Sequence, residues 1–193
     1  MKIRIMNKIK QTLTLLTITI LTLVSQNLFG QAENRELGIR LTGFQDFDFI
    51  YKNGREENKL TRYRLGFANL EFQNATNNQN FNFSLGFAIG VEKRRSIAGN
   101  LQFIHGLEPT LSLALSTTDD IFNLRIRPGI GYVLGFQYNV SDKFYVNIET
   151  IPSLSTSFMI DNDGFNDMYS INAGFNSNAI ALSLVYQFKK KEE

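Results

Sequence analysis

The stretch from Phe122 to Val140, FNLRIRPGIGYVLGFQYNV, alternates between two kinds of residue over its whole length. The even-numbered positions are all apolar or aromatic, whereas the odd-numbered positions are polar, charged or small, with Val133 as the one apolar residue among them. Successive side chains of a β-strand point to opposite faces, so this alternation predicts a strand with one wholly apolar face. Strands of soluble domains are typically about 5–6 residues long. The length and the clean apolar face therefore predict the wall of a transmembrane β-barrel.

The N-terminus has the three parts of a secretory signal peptide. A basic segment at residues 2–10 precedes the uncharged, Thr-rich apolar stretch Leu13–Val24, and Gly30 and Ala32 supply the small residues of a cleavage site. A retained helical anchor is the alternative, but it would need ~20 apolar residues. We predict that residues 1–32 are a signal peptide and that residues 33–193 form one barrel domain.

The overall charge also depends on that segment. The chain has 20 Lys and Arg residues against 18 Asp and Glu residues. Four of the basic residues and none of the acidic ones lie in residues 1–32, which leaves a mature net charge of −2. The basic pI of about 8.8 therefore gives no support for nucleic-acid binding. The chain has no Cys, which excludes a disulfide and a lipid-modified N-terminal cysteine.

Eight segments after the signal peptide share the alternation. They are residues 36–42, 47–51, 62–72, 80–91, 106–115, 122–140, 144–160 and 180–188. Most reach the ~9–11 residues that a membrane-spanning strand needs. The apolar phase slips between Phe67 and Leu70, which predicts a β-bulge. Pro109, Pro128 and Pro152 lie inside strand patterns, and they predict irregular pairing there because proline cannot donate a ladder hydrogen bond.

Two groupings of these segments both give eight strands. In the first, residues 36–42 and 47–51 are separate strands. In the second, Glu36–Lys52 is one strand, and the last segment turns back at residues 176–178. We favour the first grouping, because it separates the charges of the turns. One end then carries both termini and the basic residues Arg35, Lys52, Arg55, Lys59, Lys93, Arg94, Arg95, Lys143, Lys189, Lys190 and Lys191. The other end carries Asp46, Asp119, Asp120, Asp161, Asp163 and Asp167.

A family resemblance follows from three of these features together with the signal peptide. The strand RPGIGYVLGFQY at residues 127–138, the tight turn at residues 141–143 and the closing LVYQF at residues 184–188 resemble small outer-membrane β-barrel proteins. Those proteins are similar to OmpX and to the transmembrane domain of OmpA. The resemblance implies an all-β, eight-stranded antiparallel up-and-down barrel in the cell outer membrane. It further implies that both termini face the periplasm and that the aromatic Phe188 serves as an assembly signal, although Lys189–Glu193 follow it.

Candidate chemistry is sparse, and we assign no catalytic residue, no cofactor-binding residue, no metal ligand and no cofactor. Some barrels of this size are lipid-modifying enzymes with a serine and a histidine on the outer wall. The single histidine, His105, has Phe103 and Leu107 as its neighbours on the same face. The segment Asp161–Asp167 offers carboxylates for calcium, but it lacks the spacing of an EF-hand loop, and we interpret it as a solvated loop.

The inward faces are predicted to carry charges. Arg40, Arg62, Arg64, Arg125 and Arg127 share them with Glu36, Glu108 and Glu149. An eight-stranded barrel has room only for its own side chains, and an unpaired buried charge is very costly. We therefore expect pairing across the lumen, with at least one of Arg125 and Arg127 paired with Glu149 or Glu108. A polar conductive path is the alternative.

Together, these patterns predict an outer-membrane β-barrel protein with a filled polar lumen and a structural or loop-mediated interaction role. We expect a monomer that is not an enzyme, has outer-membrane lipids as partners and binds no nucleic acid; the partner of its loops stays open. The alternatives are a lipid-modifying barrel enzyme and a secreted, lipocalin-like ligand-binding barrel, which would need an apolar lumen. The basic end is expected to be periplasmic and the Asp-rich end extracellular.

Overall fold

In the computed structural model, residues 34–42, 47–75, 78–118, 121–162, 164–174 and 180–188 are described. These ranges contain ten β-strands: β1 Asn34–Leu41, β2 Phe47–Glu56, β3 Lys59–Ala75, β4 Asn78–Ala98, β5 Leu101–Thr118, β6 Ile121–Asn139, β7 Phe144–Thr150, β8 Ser153–Asp161, β9 Gly164–Gly174 and β10 Ile180–Phe188. Over the same ranges, no helix is long and apolar enough to cross a membrane. The predicted signal peptide, residues 1–32, lies outside the described residues.

Eight of the strands close into a ring in which every neighbouring pair is antiparallel. The order around the ring is β1, β2, β3, β4, β5, β6, β7 and β10, and β10 pairs back onto β1. β8 pairs with the first half of β6, and β7 pairs with its second half. Thus β7 and β8 are two parts of one long wall strand that is interrupted at Ile151 and Pro152. The predicted all-β, eight-stranded antiparallel barrel is confirmed.

The pairing also decides between the two groupings of segments. β1 and β2 are separate antiparallel strands, so a single strand across Glu36–Lys52 is wrong. β9 pairs with β8 while β10 pairs with β7, both antiparallel. β9 and β10 therefore run in the same direction, which disagrees with their forming a hairpin. The first grouping is confirmed, although residues 176–178 themselves lie outside the described residues.

Local irregularities lie where the sequence predicts them. The register of β3 against β4 shifts between Phe67 and Asn69, which confirms the predicted bulge. The β4–β5 ladder is interrupted beside Pro109, and the β6–β8 ladder is interrupted beside Pro128, each without a change of register. Pro152 falls in the break between β7 and β8. Each proline thus accounts for a missing ladder hydrogen bond.

The two faces of the barrel differ sharply in polarity. Many large apolar side chains on the outside are 40–60% exposed, such as Leu37 of β1, Phe49 of β2, Leu107 of β5 and Leu184 of β10. The inward faces of the same strands hold buried charged or polar groups. A continuous apolar exterior is far larger than the patches that soluble proteins expose. This arrangement suits a lipid-facing wall and disagrees with a lipocalin, whose lumen is apolar.

The two ends of the barrel also differ. Asn34 of β1 and Phe188 of β10 lie at one end, here called the terminal end, together with the turns at residues 57–58, 99–100 and 140–143. Towards the opposite end, here called the far end, β1 and β2 stop early, whereas β3 to β6 are 17–21 residues long. The described parts of β3, β4, β5, β6, β8 and β9 continue there as an open wall.

Some predicted end residues are not described. These are Asp46, Asp119, Asp120 and Asp163 at the far end, and Lys189, Lys190 and Lys191 after β10.

Candidate functional site: the charged lumen and its vestibule

Buried charges fill the half of the lumen nearer the terminal end. Among the described residues, five cationic and five anionic side chains form one connected set of ion pairs, here called the plug network. Its members are Arg40, Lys52, Arg62, Arg64 and Arg94 with Glu36, Asp48, Glu92, Glu108 and Glu149. Equal numbers of the two signs leave the plug network without net charge.

Arg62 of β3 lies at the centre of the plug network and is fully buried. Its guanidinium contacts three carboxylates: Nε is 2.8 Å from Oε2 of Glu108, Nη1 is 3.1 Å from Oε2 of Glu92, and Nη2 is 3.0 Å from Oε1 of Glu149. The contact with Glu108 is an ion pair without hydrogen-bond geometry, whereas Glu92 and Glu149 accept hydrogen bonds. The planar guanidinium, with its five N–H donors, can serve several carboxylates at once.

Glycine makes room for this centre. Gly90 is the register partner of Arg62 on β4. A Cβ atom at Gly90 would meet the Leu107 carbonyl oxygen and would lie 3.0 Å from Cα of Glu108. The missing side chain lets β5 approach closely enough to place Glu108 beside Arg62.

Two further arginines extend the plug network towards the far end. Arg40 donates to Glu149 at 2.5 Å and to Asp48 at 3.0 Å. Arg64 donates to the same Asp48 oxygen at 2.8 Å and to Glu108 at 2.7 Å. Asp48 of β2 therefore joins one arginine from each of the neighbouring strands, Arg40 of β1 and Arg64 of β3.

A second group of contacts extends towards the terminal end. Nζ of Lys52 lies 2.7 Å from Glu92. Arg94 donates two hydrogen bonds to Glu36, at 2.8 and 2.6 Å. The hydroxyl of Tyr145 also donates to Glu36, at 2.6 Å, and its ring lies 5.1 Å from the Arg94 guanidinium. Tyr145 packs with Ile50 and Val185 in a buried apolar cluster, so apolar volume fills the space beside the charges.

The predicted inward charges are confirmed in part. Arg40, Arg62 and Arg64 pair across the lumen, as do Glu36, Glu108 and Glu149. The predicted pairing of Arg125 or Arg127 with Glu149 or Glu108 is wrong, because those carboxylates pair with Arg40, Arg62 and Arg64 instead.

The prediction fails because Arg125 and Arg127 lie nearer the far end of the barrel than the positions on β6 that are level with Glu108 and Glu149. On β6, the register partner of Glu108 is Gly131 and that of Glu149 is Gly135. Arg127 lies four positions beyond Gly131 towards the far end, which is about 13 Å at ~3.3 Å per residue.

Four members of the plug network were missed in the sequence. Asp48, Lys52, Glu92 and Arg94 are inward-facing and buried or nearly so. The prediction that Lys52 and Arg94 belong to the basic turns of the terminal end is wrong, because both side chains are buried in the lumen. The alternation of the sequence could have shown that these side chains face inwards. Lys52 is an even number of positions from the inward-facing Asp48, and Arg94 is an even number of positions from the inward-facing Gly90.

Arg125 and Arg127 face a wider space at the far end, here called the vestibule. Both side chains are exposed on the inward face of β6. A cavity of about 260 Å³ lies beside Arg125, lined by Asn82, Phe83, Ser84, Ala114, Leu115, Ser116, Asn123, Arg125 and Met159. Ser112 and Ala114 are the register partners of Arg127 and Arg125 on β5. The vestibule therefore presents small and polar groups around two guanidinium groups.

Acidic residues also reach the rim of the vestibule. Glu71 is the register partner of Asn82, and Asp161 is that of Asn123. Within the described ranges, no three His, Asp or Glu side chains come close enough to hold a metal ion. The possible calcium segment Asp161–Asp167 is described only in part, because Asp163 and the side chain of Asp167 lie outside the described residues.

His105 lies on the outer wall, as its parity predicts. Its Nδ1 is 3.1 Å from the Tyr132 hydroxyl, and its ring stacks on Phe103 with 5.6 Å between centroids. A general base must come within hydrogen-bond reach of the nucleophile that it activates. The group that His105 reaches is a phenol rather than a serine, which suits a boundary residue.

We expect a His105→Ala variant to fold and to leave the acyl chains of the host lipids unchanged. An exposed hydrogen bond contributes only about 0.5–1.5 kcal/mol, so the heat-modifiable gel mobility should persist. Tyr132→Phe is the matched control, since it removes the same hydrogen bond and keeps the imidazole. Mass spectrometry of lipids from cells with and without the protein is the measurement. Acyl-chain changes that the wild type makes and His105→Ala abolishes would instead indicate an enzyme.

These features define a class. A closed antiparallel ring of eight strands, an apolar outer band and a charged, internally paired lumen are the properties of a transmembrane β-barrel of the outer-membrane type. Aromatic side chains at the terminal end form part of a girdle, with Phe144, Tyr186 and Phe188 in edge-to-face contact at 4.8–4.9 Å. The protein is an integral outer-membrane barrel.

Comparisons with known proteins found similar structures but no similar sequence. No protein-family model matches the chain, and no curated protein matches it in sequence. A major outer membrane protein of Thermus thermophilus is similar in structure, with a TM-score of 0.49, 10% identity and coverage of 80% of this chain and 99% of that one. Ail, the attachment invasion locus protein of Yersinia pestis, has a TM-score of 0.42 and 12% identity, over 80% of this chain and 94% of that one. Neisserial surface protein A has a TM-score of 0.40 and 12% identity, over 81% of this chain and 94% of that one. The barrel assignment itself rests on the strand pairing and on the polarity of the two faces.

Proposed function

We propose that this protein is a non-conducting, non-catalytic outer-membrane barrel that acts as a monomeric scaffold and presents its far end for interactions. The observation that carries the proposal is the plug network. Its ten charges are balanced, and Lys52, Arg62, Glu92, Glu108 and Glu149 are inaccessible to water.

The contacts of the plug network support a closed lumen. Conduction would require water and ions to pass the position of Arg62, whose guanidinium is shared by three carboxylates. Breaking a buried pair typically costs ~3–5 kcal/mol, so thermal opening of this centre should be rare. The buried cluster of Ile50, Tyr145 and Val185 adds apolar volume beside these charges.

The shape of the far end supports an interaction role. The long strands β3 to β6 continue past the closed half of the ring, and they carry an open polar surface that includes Arg125 and Arg127. Neither arginine has an ion pair with another described residue. Exposed guanidinium groups can recognise carboxylates or phosphates bidentately, so this surface suits an anionic partner.

Planar-bilayer recording tests the closed lumen. We expect the reconstituted wild-type protein to show no large stepwise openings. An Arg62→Ala/Glu149→Ala variant keeps the lumen uncharged overall and removes the central contacts, so it should conduct if it folds. Asp142→Ala, which removes an exposed carboxylate from a turn at the terminal end, should stay closed. Large, regular openings of the wild type would overturn the proposal.

A further inference from the structure

We propose that the outer wall near the terminal end binds the headgroup of an anionic phospholipid, with Lys59 and Lys93 as the main cationic groups. The inference rests on the position of the barrel in a membrane, and it does not depend on whether the lumen is closed. With the terminal end towards the periplasm, this headgroup belongs to the periplasmic leaflet.

The strand register brings like charges together on the outer face. Lys59 of β3 is the register partner of Lys93 of β4, and Lys93 is in turn the partner of His105 of β5. Both lysines are exposed, while their neighbours Leu60 and Glu92 point into the lumen and are fully buried. Side chains directly opposite each other on one face have Cβ atoms only ~4.5–5.5 Å apart, and like charges there are destabilising.

No described acidic side chain forms an ion pair with either lysine. Glu56 is the register partner of Lys59 on its other side, beyond an irregularity in the β2–β3 pairing, and it is exposed without a salt bridge to Lys59. Arg95, two residues from Lys93 on the same face, adds a third cation and is also exposed. The ion pairs of the described residues all join members of the plug network, and none of them includes a member of this outward group.

The surface beside these cations matches an acyl chain. Val91 and Leu107 flank Lys93 and His105 on the side towards the middle of the barrel, and they are 41% and 54% exposed on the same outward face. Tyr132, 40% exposed, continues that surface and contacts His105 through its hydroxyl. The cationic donors can contact the headgroup of a phospholipid while the apolar strip beside them contacts its acyl chain.

The phosphodiester of a phospholipid can supply the hydrogen-bond acceptors and the negative charge that the two lysines do not find among the described residues. Each ammonium group has three N–H donors and no acceptor, and a phosphate offers oxygen acceptors and a negative charge that offset the repulsion between Lys59 and Lys93. The terminal end is expected to face the periplasm, where the leaflet is made of phospholipids. The occupant is therefore an anionic phospholipid rather than the lipid A of the outer leaflet.

Native mass spectrometry of the detergent-purified protein tests the site. The protein is mixed with phosphatidylglycerol and phosphatidylcholine of equal chain length, and the retained adducts are compared. We expect phosphatidylglycerol to be retained preferentially by the wild type. Lys93→Gln should lower this association about fivefold, the contribution that one basic residue makes near an anionic lipid surface, and Lys59→Gln/Lys93→Gln should lower it further.

Two control variants test whether lipid retention depends on a positive charge at position 93 in particular. Lys143→Gln removes an exposed lysine from a turn at the same end and should leave phosphatidylglycerol retention unchanged, and Lys93→Arg should retain the lipid. Folding of each variant is checked by heat-modifiable gel mobility, and the single Lys93→Gln variant suffices if the double variant does not fold. Equal retention of both lipids by the wild type, or an equal loss in Lys143→Gln, would overturn the site. A Lys93-dependent preference for lipid A over phosphatidylglycerol would overturn the choice of phospholipid.

Discussion

The Glu149→Ala variant will lose about 3–5 kcal/mol of its free energy of unfolding, measured by urea titration in detergent micelles. Glu149 accepts hydrogen bonds from Arg40 at 2.5 Å and from both terminal nitrogens of Arg62 at 3.0 and 3.1 Å. Both guanidinium groups are buried, so removing the carboxylate leaves positive charge in the lumen that water cannot reach. The loss comes mainly from these stranded charges rather than from the bonds themselves.

Two controls separate this effect from ordinary surface changes. Asp142→Ala also removes one carboxylate, but from an exposed turn, and it should change the free energy of unfolding by less than about 0.5 kcal/mol. Arg40→Met combined with Glu149→Ala removes one charge of each sign and restores neutrality. The double variant should therefore be less destabilised than the sum of the two single variants, which is the coupling that a double-mutant cycle measures. Additive losses would contradict a shared network.

Much of the wall could be predicted because alternation is a local property. The parity of Phe122–Val140 alone assigns an outward and an inward face along β6, and the phase slip near Phe67 locates the bulge in β3. Turn positions at the terminal end follow from the ends of the same apolar runs. Interactions between neighbouring residues in the sequence determine these features, so a single sequence contains them.

The partners inside the lumen could not be predicted in the same way. Parity shows that Arg127 faces inwards, but it does not show at which height Arg127 meets the strands across the barrel. That height depends on the stagger between strands, which is the sum of all the pairings around the ring. Arg62 and Arg64 of β3, rather than the arginines of β6, lie level with Glu108, so the predicted partner was wrong while the predicted face was right.

Lys52 and Arg94 illustrate a second limit. Both lie near the terminal end, where a basic side chain is normally taken as solvated, and their sequence neighbours Lys59, Lys93 and Arg95 are indeed exposed. The difference between Arg94 and its two neighbours is parity alone, which places Arg94 between Glu36 and Glu92 in the lumen. Applying the alternation to the end of each strand would have identified both residues.

The orientation of the barrel gives the last expected result, and it should be all or none. We propose that the terminal end is periplasmic and that the far end faces outwards. The chain has no cysteine, so a single introduced thiol reports one position without background. Asp163→Cys, which lies between β8 and β9 in the sequence, should react with a membrane-impermeant maleimide added to intact cells.

Asn58→Cys, in the β2–β3 turn at the terminal end, should react only after the outer membrane is permeabilised. Asn58 is exposed, and its carbonyl oxygen rather than its side chain accepts the hydrogen bond from the Arg94 amide. Gly54 at the same end is a poorer position, because a Cβ atom there would lie 2.6 Å from the Lys59 carbonyl oxygen. Labelling of Asn58→Cys but not Asp163→Cys on intact cells would invert the barrel and would also assign the Lys59–Lys93 surface to the outer leaflet. Labelling at both positions on intact cells would contradict the opposite placement of the two turns.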